Sequence, residues 1–299
     1  MPKFRIGGVW SIVWFCVLSV SLAWAVAAPL WLGNGIYDTK LPVIASFMMF
    51  TPTVAVLVIA LAERRIRSFS SDVGLWPINR PGKFVVAIVL SYVIPLGLIL
   101  QAPFIGTWLG VFPGDLENYT ILHILAGEAG PFQYLLGQAG LIAVASLMNS
   151  VLALGEEIGW RGWLWSRLQA YGQLISIVIS GGIWGIWHAP LILLGYNYPF
   201  ATGPWGVMAM CGMCIVFGAF LGWLRNFSDS VWPAALAHGV FNASVGLVSL
   251  FIVMGAPLDT TQASILGWSG WLLPTLVIAV MLLCGAYNLK RTTNLSTIR

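Results

Sequence analysis

Six residues on three separate apolar segments are of the types that hydrolyse a carbonyl compound. They are Glu156, Glu157, Arg161, His188, His238 and Asn242. A carboxylate and an imidazole can share a water molecule and take its proton. An imidazole and a carboxamide can hold an oxyanion as it develops. A second chemistry is open to the same atoms, because Glu156, His188 and His238 are a ligand set that zinc accepts. Both routes end in attack of water on a carbonyl, and the residue types leave the choice between them open.

The spacing within each segment adds detail. The first reads Gly155-Glu156-Glu157-Ile158-Gly159-Trp160-Arg161. On a helix Glu157 and Arg161 are i and i+4 with the acid N-terminal, which suits an ion pair. Glu156 lies about 100° further around the helix, so it is left free for other work. In the second segment, Gly181 to Pro190, Trp184 and His188 are also i and i+4. The indole can therefore pack on the imidazole. Gly181 and Gly185 form a small face that lets another helix come close. Pro190 removes a helix hydrogen bond and predicts a kink beside His188. In the third, Pro233 to Asn242, His238 and Asn242 share one face. Each segment alone also has a plainer reading: a solvated ion pair, a satisfied buried histidine, or hydrogen bonds between helices. The case for chemistry rests on the three together, at one depth.

Other motifs argue by their absence or isolation. The chain contains neither HExxH nor Gly-x-Ser-x-Gly, so the common zinc-protease and serine-hydrolase motifs are missing. Tyr37-Asp38 resembles half of an intramembrane aspartyl pair, but no Gly-x-Gly-Asp supplies the second acid. His123 reads as interfacial. Cys211 and Cys214 form a CxxC with no second pair or nearby histidine, so they read as small residues in a membrane helix. Cys16 and Cys284 also lie in apolar runs.

The elements that must position these groups are membrane helices. Apolar residues make up 59% of the chain and charged residues 8%, against about 25% charged in a soluble domain. Most of the surface must therefore face lipid. Eight runs reach the length of a span, at 7–32, 41–62, 84–109, 134–155, 173–195, 204–224, 231–254 and 267–289. The expectation is an all-α, polytopic protein of about eight transmembrane helices in one domain, 1–299, with a catalytic core at 135–255. Residues 156–172 hold two Glu and two Arg and are expected as a short helix at the membrane surface, continuing from the fourth span. The first run is longer than a signal sequence and is expected to be retained. With the N-terminus inside, thirteen Lys and Arg fall on the inner side and only Lys40 on the outer. Both termini are thus expected in the cytoplasm of a plasma-membrane protein, with the site in a cavity open towards the cytoplasmic side. The basic residues sit in short loops and at the ends without interleaved aromatics, which argues against a nucleic-acid partner.

Glu156-Glu157-x-x-x-Arg161, then Trp184-x-x-x-His188, then His238-x-x-x-Asn242, in this order, resembles the CAAX prenyl protease and bacteriocin-processing family. Ser71-Asp72-Val73-Gly74-Leu75 is a weaker match to the same family. The resemblance covers about 135–255 and implies an eight-helix intramembrane endopeptidase, classed with metalloproteases although its use of a metal is unsettled. It implies Glu156 as the catalytic carboxylate, with Glu157 and Arg161 completing its motif. It implies His188 as an aid to the water, and His238 with Asn242 as oxyanion binders. Trp184 departs from the usual Phe. The implied partners are a peptide or lipidated peptide substrate and the lipid bilayer. A proton-coupled transporter is the rival reading, but no internal repeat is visible. A non-catalytic scaffold of the same family is the other, and the complete set of polar residues argues against it.

Overall fold

The computed structural model describes residues 8–288. Lys3, Arg5, Lys290, Arg291 and Arg299, and with them the charge evidence at both ends, lie outside the described residues. The main helices are α1 (Val9–Trp31), α2 (Leu41–Met49), α3 (Thr51–Ala62), α4 (Pro81–Trp108), α5 (Gly130–Glu157), α6 (Gln173–Trp187), α7 (Pro204–Ser228), α8 (Trp232–Ser244) and α9 (Trp268–Leu283). The protein is all-α and polytopic. Six helical stretches are long and apolar enough to cross a membrane: Val9–Trp31, Leu41–Ala62, Pro81–Trp108, Thr120–Tyr171, Pro204–Ser228 and Trp232–Phe251. The predicted fifth and eighth runs form shorter apolar helices, Gln173–Trp187 and Trp268–Leu283.

Local chemistry explains why these two are short. At α6 the expected kink is a break: His188 caps the helix, and a new turn, Ala189–Ile192, starts with Pro190. Proline is tolerated there because first-turn N–H groups need no helix partner. At α9 the chain enters after Gly267, whose backbone is extended, and Gly285 turns left-handed just past the end.

Side-chain and backbone bonds sort the helix ends into two faces. On one, Ser11 bonds Glu63, Arg167 pairs with Glu63, Asn79 bonds Asp229, and Trp165 and the Tyr287 carbonyl meet at Asn226. On the other, Trp31 donates to the Pro190 carbonyl, Thr260 to that of Asn197, and Tyr198 to that of Leu266. The first face carries Arg64, Arg65, Arg67, Arg80 and Lys83. The second carries Lys40 with Asp38, Asp115, Glu117, Glu128 and Asp259. Between the faces α4, α5 and α9 expose Val89, Val93, Val144, Met148, Leu276 and Val280, side chains suited to lipid.

One expectation is overturned in part. Within 156–172, Glu156 through Trp165 are buried in the core and do not lie at a surface, while Ser166, Ala170 and Tyr171 are exposed. The continuation from the fourth span is as expected: α5 runs on through a wide π turn, Ile158–Leu164, into Trp165–Leu168. Trp160, Trp163 and Trp165 fill core space, and Gly159 abuts Pro52 of α3 so closely that a Cβ would collide. The charges mislead because Arg161 is neutralised inside the protein and never meets water.

The small face on α6 does its expected work. A Cβ on Gly181 would lie 2.8 Å from the Cys214 carbonyl oxygen, and one on Gly185 would lie 2.7 Å from the Cys211 nitrogen. So α6 and α7 touch backbone to backbone, and the CxxC supplies the small partners. Gly181→Leu must push these helices apart, and overpacking typically costs about 1–3 kcal/mol. Thermal unfolding in detergent is expected several degrees lower than for the native chain. An unchanged midpoint would show that the contact bears no strain.

Candidate active site

Four elements deliver the six residues. Glu156 and Glu157 end α5, Arg161 lies in the π turn, His188 caps α6, and His238 and Asn242 lie on α8. π turns of this kind are frequent at functional sites, because the extra residue re-aims side chains. Here the turn leaves the two acids pointing to different partners.

Glu157 is the hub. Its Oε1 accepts from Arg161 Nη1 at 3.1 Å, the ion pair that the spacing predicts. The same oxygen meets His238 Nδ1 at 2.9 Å. An ionised carboxylate only accepts, so Nδ1 carries the proton and Nε2 is left for the cavity. Both Glu157 and Arg161 are buried. Glu157 Oε2 and the Arg161 Nε and Nη2 have no protein partner.

Glu156 is not wholly free. Its Oε2 accepts from the Trp184 indole N–H at 2.7 Å. The same indole stands 4.1 Å from the Arg161 guanidinium and 5.3 Å, edge to face, from the His238 ring. Trp184 also packs on His188 as predicted, at 5.8 Å. His188 Nδ1 lies 2.8 Å from the Trp184 carbonyl oxygen, a partner that fixes the proton on Nδ1 and leaves Nε2 bare.

Glu156, His188, His238 and Asn242 line one cavity of about 280 Å³. Asn242 is exposed within it and bonds to no residue among those described. Cross-helix hydrogen bonding is therefore not what this side chain does here. The depth is also clear. Thr53, midway along the α2–α3 run, donates to the Gly155 carbonyl at 2.6 Å. Arg167, on the basic face, is roughly 15 Å along the chain from Glu156 at 1.5 Å per residue.

The lining reaches Tyr196, Asn197 and Leu266 on the acidic face and includes no residue of the basic loops. Asn149, a carboxamide inside an apolar helix, lines the same cavity and was not among the expected residues. That polar residue within a span was a usable signal. Tyr196, Asn197 and Leu266 come from loops, and no periodicity marks them.

Among the described residues, no three of His, Cys, Asp and Glu come together closely enough to hold a metal ion. Glu156, His188 and His238 share the cavity, but as arranged they do not fit zinc.

Fold and site together define a polytopic helical membrane protein with a polar cavity enclosed at mid-depth. Residues 138–244 match the family described as Type II CAAX prenyl endopeptidase Rce1-like. The matched stretch spans all six motif residues. Over 172 residues it is 25% identical to CAAX prenyl protease 2 of Methanococcus maripaludis, a stretch covering 56% of this chain and 56% of that protein. The chain thus matches about half the length of that relative.

The hub makes a prediction about stability. Removing one partner of a buried pair strands the other charge, at a cost of about 3–5 kcal/mol. Arg161→Met is expected to destabilise the folded protein by about that amount, read by denaturant titration in detergent. Adding Glu157→Gln to it should recover part of the loss. No recovery would mean that the guanidinium is needed for its packing on Trp184 and not for its charge.

Proposed function

We propose that this chain is an intramembrane endopeptidase that hydrolyses a peptide bond with Glu156-activated water. The carrying observation is the cavity itself, where a carboxylate, two imidazoles with free Nε2 atoms and an unpartnered carboxamide meet. The match to that family agrees with a peptidase. The substrate class is a peptide or lipidated peptide, held in a plasma membrane that all eight helical runs cross, with the basic face in the cytoplasm.

The residues divide the work as follows. Trp184 fixes one oxygen of Glu156 and leaves the other for the water. Glu156 takes a proton from that water while His188 Nε2 accepts its second O–H and orients it. The hydroxide attacks the carbonyl carbon. Asn242 donates an amide N–H to the resulting oxyanion. His238 stands beside it, its ring held by Glu157 so that Nε2 faces the cavity. When the C–N bond breaks, the proton held by Glu156 passes to the departing amine. No step here runs through a metal.

Glu156→Gln preserves shape and removes the base. It is expected to abolish cleavage of a membrane-reconstituted peptide substrate while leaving the melting temperature close to native. Substantial cleavage by the folded Gln variant would overturn the assignment.

Asn242 separates catalysis from structure. Removing one oxyanion donor typically costs about 3–4 kcal/mol in the transition state. Asn242→Ala is therefore expected to lower kcat by about a hundredfold or more with KM little changed. A folded variant with near-native kcat would assign the oxyanion to other donors.

A further inference from the structure

Asn149 is a carboxamide with only half of its hydrogen bonding used. It lies on α5, where its Nδ2 donates to the Ala145 carbonyl at 2.9 Å. That bond has a chemical direction, because a carbonyl oxygen can meet only the N–H side of an amide. The group is thereby turned so that Oδ1 is left over, and no described residue donates to it.

The polar residues on either side of it serve another purpose. Ser146 meets the Tyr92 hydroxyl at 3.1 Å, and Ser150 donates to the Ser146 carbonyl. Both lie against Gly239 of α8, where a Cβ would fall 2.6 Å from the Ser146 carbonyl oxygen and from the Ser150 nitrogen. Ser146 and Ser150 therefore belong to the packing of α8 on α5. Asn149 instead lines the cavity.

Its placement relative to Glu156 is rigid, since both ride on α5. Positions 149 and 156 are separated by two helical turns, so both side chains leave one face, about 10.5 Å apart along the axis. An extended chain advances about 3.3 Å per residue. The spacing therefore matches about three residues of an extended peptide. A main-chain N–H that leaves water needs an acceptor. Asn197 also lines the cavity, but from a loop, and a group on a helix is held more precisely.

We propose that Asn149 is a substrate-binding residue that sets the register of cleavage: its Oδ1 accepts one main-chain N–H of the peptide, about three residues from the bond that Glu156-activated water breaks. The contact is to the main chain and does not read the peptide's side chains. It rests on the peptidase reading.

The test couples one atom of the protein to one atom of the peptide. A library of short peptides is offered to the native chain in detergent, and the cut in one cleaved peptide is located by mass spectrometry. Its main-chain N–H groups are then replaced one at a time by N-methyl. With the native chain, methylation about three residues from the cut is expected to raise KM about tenfold, the size of one hydrogen bond. Asn149→Leu keeps the shape, lacks the acceptor and puts a better helix former in place, so the fold is expected to hold. For the parent peptide it is expected to raise KM about tenfold with kcat within about twofold. The combination decides. Methylation at that one position should cost the Leu variant little more, and methylation elsewhere should cost both chains alike. A purely structural role for Asn149 predicts independent losses and a lowered melting temperature. Independent losses, or coupling to none of the main-chain N–H groups, overturn the proposal. Asn149→Ala controls for the bulk of leucine and is expected to behave as Asn149→Leu does. A native-like KM and native-like methyl sensitivity in the Ala variant overturn the contact. Failure of the peptidase reading looks different: the native chain then cuts no peptide at all, and the register contact falls with it.

Discussion

A single buried carboxylate oxygen organises this protein. Glu157 Oε1 receives both Arg161 and His238, and it is inaccessible to solvent. Taking such charges out of water costs several kcal/mol per ion, and only good geometry returns it. The need to keep them together therefore fixes where the end of α5 lies relative to α8. Trp184 extends the constraint to α6, because its ring covers Arg161 while its N–H reaches Glu156. Three helices separated in sequence are thus locked around one ion pair, and the cavity is the space they leave.

The sequence made the local part of this legible. Spacing of four residues predicted the Glu157–Arg161 pair and the Trp184–His188 packing, because both partners ride on one helix. The Gly181–Gly185 face was legible for the same reason. What spacing cannot carry is a bond between elements. Glu157 and His238 are far apart in the chain, and nothing in either segment says that they meet. The same limit hid the burial of 156–165. A run with four charges looks wet until one knows that Arg161 has its partner inside and that Gly159 lets α3 close over it. That Tyr196, Asn197 and Leu266 join the cavity lining was illegible too, since it depends on which loops pack over which helix ends.

The charge asymmetry and the cavity answer different physical demands. Basic residues in short loops fix how helices insert. They act on the chain before it packs. The cavity follows from packing afterwards, and packing puts the bulkiest side chains where the helices crowd. The π turn brings Trp160, Trp163 and Trp165 into the core, where they are buried. The loop that carries Asn197 to the cavity holds Gly195, Pro199 and Gly203.

Trp184 shows how a departure from a family's usual residue can be absorbed. A phenylalanine here would keep the aromatic face over Arg161 and beside His238. It could not donate a hydrogen bond. The indole N–H spends one lone pair of Glu156 and holds the carboxylate plane still. A group already aimed before the reaction avoids the cost of reorienting during it. The larger ring also takes volume from the cavity beside His188. The substitution therefore exchanges space for orientation, and the unbranched methionines on the opposite wall are the side chains best able to adjust to what remains.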